Sequence, residues 1–115
     1  MTFSIERHPE AQEELSDAVE YYEDLNLGLG DTFLHLVDIV EDSIIAMPEA
    51  WPKVPGWRKK TVLRSHRTGK YPYRIVYYVE KKQKQIVVIA YAHTSRKPNY
   101  WVHRVSATSP KGKAK

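Results

Sequence analysis

The chain has no cysteine, so disulfides and thiolate metal sites are excluded. Its five histidines, His8, His35, His66, His93 and His103, are scattered without the paired spacing of a metal site. No metal or other cofactor is expected. No apolar run approaches the roughly 20 residues that a membrane-spanning helix needs. The opening residues, MTFSIERHPE, lack the hydrophobic stretch of a secretory signal. A cytoplasmic protein with no membrane partner is therefore expected. There are no internal repeats, and 115 residues suit one domain with a modest core.

Acids are nearly missing from the second half. Residues 51–115 hold a single acid, Glu80, against 17 bases, a net charge of +16. Residues 1–50 hold the other 13 acids and one base, Arg7, a net charge of −12. The overall +4 conceals this sorting. Asymmetry of this size suggests that the basic half meets an anion, either nucleic acid or an acidic protein segment. The plainer alternative is internal neutralisation, with acidic helices beside a basic sheet.

Residues 2–7 alternate, with Phe3 and Ile5 on one side, and read as a short strand. Pro9 suits the first position of a helix, where its missing N–H has no partner to lose. Ala11, Leu15, Ala18, Val19, Tyr22 and Leu25 then form one helical stripe, with acids filling the first turns. NLGLG at 26–30 breaks the helix. A second helix carries Leu29, Phe33, Leu36, Val37, Val40, Ile44 and Met47, and ends before Pro48. Two helices joined by a short glycine loop make an antiparallel hairpin. In the loop that follows, Trp51 and Trp57 read as lids over the helix–sheet seam. Residues 58–65 read as a strand and 66–70 as a turn around Gly69.

Residues 71–79 and 86–92 are rich in Tyr, Ile and Val and read as a strand pair closed by the polar loop 80–85. An even-numbered loop predicts Ile75, Tyr77 and Val79 on one face with Ile86, Val88 and Ala90. The helices should cover that face. Arg74, Tyr91 and His93 should share the other, near Arg96, Lys97 and Tyr100. The order is β–α–α–β–β–β, an α+β layer with both helices on one face of a small, mainly antiparallel sheet. Residues 1–105 form the domain, and 106–115, SATSPKGKAK, read as a disordered basic tail.

Three segments occur in order across residues 11–104: AQEELSDAVEYYEDLNLGLGDTF, YPYRIVYYV and VVIAYAHTSRKPNYWVHR. Together they resemble the RelE/ParE superfamily of type II toxin–antitoxin toxins, and the spacing of HTSRKPNYW leans toward ParE. The resemblance implies a growth-inhibiting toxin silenced by a cognate antitoxin. It leaves two mechanisms open. ParE-like members poison DNA gyrase and are not nucleases. RelE-like members cut mRNA on the ribosome without a metal.

Cleavage of RNA needs a base for the 2′-OH, a cation for the phosphorane and an acid for the leaving oxygen. Arg74 suits the cation because its fork fits two oxygens. His93 suits acid or base, and Tyr100 suits stacking or proton transfer. The resemblance supports those three positions for a nuclease. Lys59, Lys60, Arg64, Arg96 and Lys97 are candidate phosphate contacts. The structural alternatives are an ion pair for Arg74, a hydrogen-bonded strand end for His93, and a sheet-edge seal for Tyr100.

Overall fold

His8 and Pro9 start the first helix together. Proline gives up only an amide that the first turn leaves unpaired, and His8 Nδ1 accepts the Glu10 N–H at 3.0 Å. The helix, α1 (Pro9–Leu25), buries Ala11, Leu15, Ala18 and Tyr22, whereas Leu25 at its end is exposed. The chain then reverses at Gly28, whose φ of +90° suits a residue without Cβ. The Glu23 carboxylate accepts the N–H groups of Gly28 and Gly30 at 2.9 and 3.0 Å. It thereby caps α2 (Leu29–Ala46) from the preceding helix. Gly30 lets the helices touch, because a Cβ there would lie 2.7 Å from the Val19 carbonyl oxygen. α2 buries Phe33, Val37, Val40 and Ile44; Met47, just past its end, is exposed.

This computed structural model describes residues 2–57 and 60–108. Four strands, β1 (Ser4–Arg7), β2 (Arg64–Thr68), β3 (Tyr71–Glu80) and β4 (Gln85–His93), form one sheet in the order β1–β4–β3–β2. β1 runs parallel to β4, and the other neighbours are antiparallel. The architecture is the expected β–α–α–β–β–β arrangement, followed by a short helix, α3 (Val102–Thr108). Of the segment expected to be a tail, residues 106–108 have helical backbone. Residues 109–115 lie outside the described residues.

Two boundaries differ from expectation. The strand expected over 58–65 begins only at Arg64, and it runs through His66 and Arg67 to Thr68 instead of turning there. Gly69, with φ +64°, turns tightly enough for pairing to reach it on both sides. Trp57 does not cover the helix side; it packs on the opposite sheet face and donates its Nε1–H to the Thr61 carbonyl at 2.8 Å. Trp51 does pack against the helix-side core.

The register of β3 and β4 also needs correction. Val79 faces Ile86 and Tyr77 faces Val88, as the even loop requires. Val76 then faces Ala90, which leaves Ile89 as an extra residue on β4. Past this bulge every side chain of β4 changes face relative to expectation. Tyr91 turns toward the helices beside Ile75, and Ala90 turns away from them. Arg74 pairs with Ala92, whereas His93 pairs with Tyr73, so Arg74 and His93 project from opposite faces.

Both faces of the sheet are covered. The helix side holds Phe33, Val37, Ile44, Ile75, Tyr77 and Val88; the other side packs Leu63, Val76, Ile89, Trp101 and Val105. A buried clamp joins three elements on the helix side. Arg7 on β1 donates to Glu41 of α2 at 2.6 Å and to the Tyr91 hydroxyl at 2.7 Å, and Tyr91 donates to Glu41 at 2.5 Å.

A candidate anion-binding cleft

Arg67, Arg74 and Ala92 stand side by side on β2, β3 and β4, on the face away from α1 and α2. Ala92 is small, so the surface above it is hollow. After His93 the chain folds back over the sheet, held by the Thr94 N–H on the Pro72 carbonyl at 2.9 Å and the Arg96 N–H on the His93 carbonyl at 3.0 Å. This return brings Arg96 and Lys97 over the hollow. The result is an open cleft of about 480 Å³ lined by Ser65, Arg67, Arg74, His93, Arg96 and Lys97, with Val54, Val76 and Trp101 among its apolar walls.

Four fixed cations therefore meet in one cleft that, among the described residues, no carboxylate lines. Among the described residues, none of the four has an acid within 4.0 Å. Arg74 Nη1 donates only to Ser65 Oγ, at 3.3 Å, and the Arg96 guanidinium lies 3.9 Å from the Tyr100 ring centre. Low-dielectric walls and unpaired cations of one sign concentrate positive potential, which suits phosphate or carboxylate.

The edge of the sheet explains Tyr100 and Arg104. β1 pairs with β4 only as far as Val88, so the outer edge of β4 is open beyond it. There Glu14 of α1 accepts the Tyr91 N–H at 3.0 Å, and Arg104 of α3 donates to the Ile89 carbonyl at 2.9 Å. The two side chains also bind each other through two bonds of 2.9 Å. They seal an edge that would otherwise expose unpaired backbone groups. Tyr100 donates to the same Glu14 at 2.8 Å. Burial first, and then Glu14, raises its phenol above the usual range. Glu10 adds contacts to Arg104 at 3.1 Å and to His103 at 2.9 Å. Part of the charge sorting is thus internal neutralisation, but the cleft is outside it.

A family model described as "ParE toxin of type II toxin-antitoxin system, parDE" matches residues 5–98, most of the chain. The chain belongs to the ParE toxin family. No curated protein matches it significantly. Membership makes it the toxin of a type II toxin–antitoxin pair, whose partner is a cognate antitoxin. No helix among the described residues is long and apolar enough to cross a membrane. No group of three or more His, Asp or Glu among them is placed to hold a metal ion.

Of the residues singled out in the toxin's sequence, Arg74, His93, Tyr100, Arg96 and Lys97 all line the cleft. His93 reaches it from the rim, at the end of β4, with its ring 5.1 Å from that of Tyr73. Its Nδ1 accepts the Ser95 N–H at 3.0 Å, which places the proton of the neutral ring on Nε2. Arg64 lies elsewhere: it donates to the Trp51 carbonyl at 2.9 Å and lines a separate cleft with Glu49 and Glu80. Lys60 is exposed before β2 and does not line the basic cleft, and Lys59 lies outside the described residues. Arg67 was not anticipated, because 66–70 reads as a turn. Glu14 was not anticipated either; its one legible signal is its i, i+4 spacing from Glu10 beside the buried stripe of α1.

Proposed function

We propose that this toxin stops growth in the cytoplasm by binding DNA gyrase and poisoning it, with the basic cleft as an anion-docking surface. The supporting observation is the state of the two proton-transfer candidates. The Tyr100 hydroxyl already donates its hydrogen bond to Glu14, and His93 uses Nδ1 as an acceptor for the Ser95 N–H. Nε2 then carries a proton and serves as a donor to an anion, not as a base. Arg67, Arg74, Arg96 and Lys97 supply charge beside it without a partner base. Such a cleft suits recognition better than catalysis of 2′-OH attack.

The second reading is ribosome-dependent mRNA cleavage, and one observation favours it: Arg74 and His93 border the same cleft from opposite sheet faces. A translating extract given purified toxin separates the two. Full-length mRNA is expected. Cuts at codon-defined positions that vanish in His93→Ala would replace the gyrase reading with the nuclease one.

A further inference from the structure

His93 borders a second hollow, on the α1 side of the sheet. Asp17, Ala18 and Tyr21 of α1 and Tyr73, His93 and Arg96 line a recess of about 300 Å³, with Glu14 and Tyr91 also in its wall. The positions on α1 follow helical spacing, so they form one edge of the helix. Ala18 is short and leaves the room. The Tyr21 ring contacts Tyr22, and Tyr73 contacts Tyr22, Phe33 and His93.

Unlike the cleft, the recess is lined by carboxylates, Glu14 and Asp17, together with Arg96. Asp17 is exposed and, among the described residues, has no base within 4.0 Å. Glu14 already holds Arg104. Burial raises the Tyr73 phenol, and Tyr21, Glu14 and Asp17 raise it further, consistent with negative potential inside. Arg96, which lines the recess along with the His93 imidazole, has its guanidinium 3.9 Å from the Tyr100 ring centre.

We propose that this recess receives an arginine side chain of the antitoxin. A guanidinium is planar, so it stacks on phenol rings, and its fork fits a carboxylate such as Asp17. An ammonium has the charge without that shape. His93 lines both hollows. A peptide whose arginine enters the recess therefore places its neighbouring residues over the cationic cleft, where an acidic side chain is complementary. The proposal rests on family membership and is independent of whether the target is gyrase or mRNA.

The test is amide NMR of the purified full-length toxin titrated with acetyl-arginine amide, acetyl-lysine amide and the neutral isostere acetyl-citrulline amide. Arginine should shift Asp17, Tyr21, Tyr73 and His93 together, and citrulline should not. Asp17→Asn should weaken the response about fivefold, as loss of one exposed ion pair does. Tyr21→Ala should weaken it as well; both residues are exposed, so the fold is retained. Several outcomes overturn the proposal. These are shifts that do not cluster on the recess, an unchanged response in Asp17→Asn, an equal response to lysine, or a response that appears only in Arg96→Ala because Arg96 itself fills the recess. Self-association that is lost in Tyr21→Ala would also overturn it, by assigning the recess to a second copy of the chain.

Discussion

Arg67 and Arg74 face each other as register partners across β2 and β3, and neither has a carboxylate within ion-pair distance among the described residues. Like charges directly opposite in a sheet are destabilising, so the fold gains nothing from this pairing. A ligand anion between them would. Arg74→Gln is expected to raise stability by about 0.2–1 kcal/mol at low salt, and Arg67→Gln by a similar amount. The double variant should gain little more, because either change alone removes the repulsion. Urea unfolding of the three variants checks this, alongside growth arrest in cells, which each variant should weaken. A loss of stability in Arg74→Gln would mean that its bond to Ser65 matters more than the repulsion.

The clamp of Arg7, Glu41 and Tyr91 makes the opposite prediction. Glu41 is 6% exposed and Arg7 30%. Glu41→Ala leaves a partly buried guanidinium unpaired and should cost about 3 kcal/mol, the low end for a broken buried pair because Arg7 reaches solvent. Tyr91→Phe keeps the ion pair and should cost about 1–2 kcal/mol. Denaturant midpoints should follow that order, and any loss of toxicity should track the fraction unfolded. Equal costs would show that the phenol, not the ion pair, holds the clamp.

Alkaline pH probes the buried phenols. Burial raises Tyr77 to about 12, and burial followed by Glu41 raises Tyr91 further. Below pH 10 both the folded and unfolded chains keep these protons, so the stabilising effect is complete. Above pH 10 the unfolded chain releases them first, and stability falls as pH rises; for Tyr77 the window is pH 10 to about 12. Each such tyrosine should steepen the decline by about 1.4 kcal/mol per pH unit within its window. Urea unfolding across that range, with phenolate absorbance, should show a shallower slope for Tyr91→Phe than for the unmodified chain.

The helical hairpin was legible because its apolar residues recur at helical spacing and its breaks carry glycine and proline. The loop between β3 and β4 was legible through its parity, and Tyr77, Val79, Ile86 and Val88 lie as that parity requires. The bulge at Ile89 was not. Residues 86–92 are apolar throughout and buried on both sheet faces, so they offer no polar–apolar alternation from which a one-residue slip could be detected. That slip moved Tyr91 into the clamp and His93 to the rim. In the site, Arg74, Arg96 and Lys97 were readable as basic residues around the hairpin. Arg67 was hidden by a turn expected to start at 66, where the strand in the structure continues to Thr68, and Glu14 by the 90 residues separating it from Arg104.

Gyrase poisoning, as proposed here, runs through the cleft bordered by Arg67 and Arg74. Its most direct test is a cleavage assay with purified gyrase, supercoiled DNA, ATP and toxin, quenched with denaturant. Linear DNA should accumulate with toxin concentration, and it should fall to background with the Arg67→Gln, Arg74→Gln double variant. No linear DNA at any toxin concentration, from a preparation that arrests growth, would contradict gyrase poisoning.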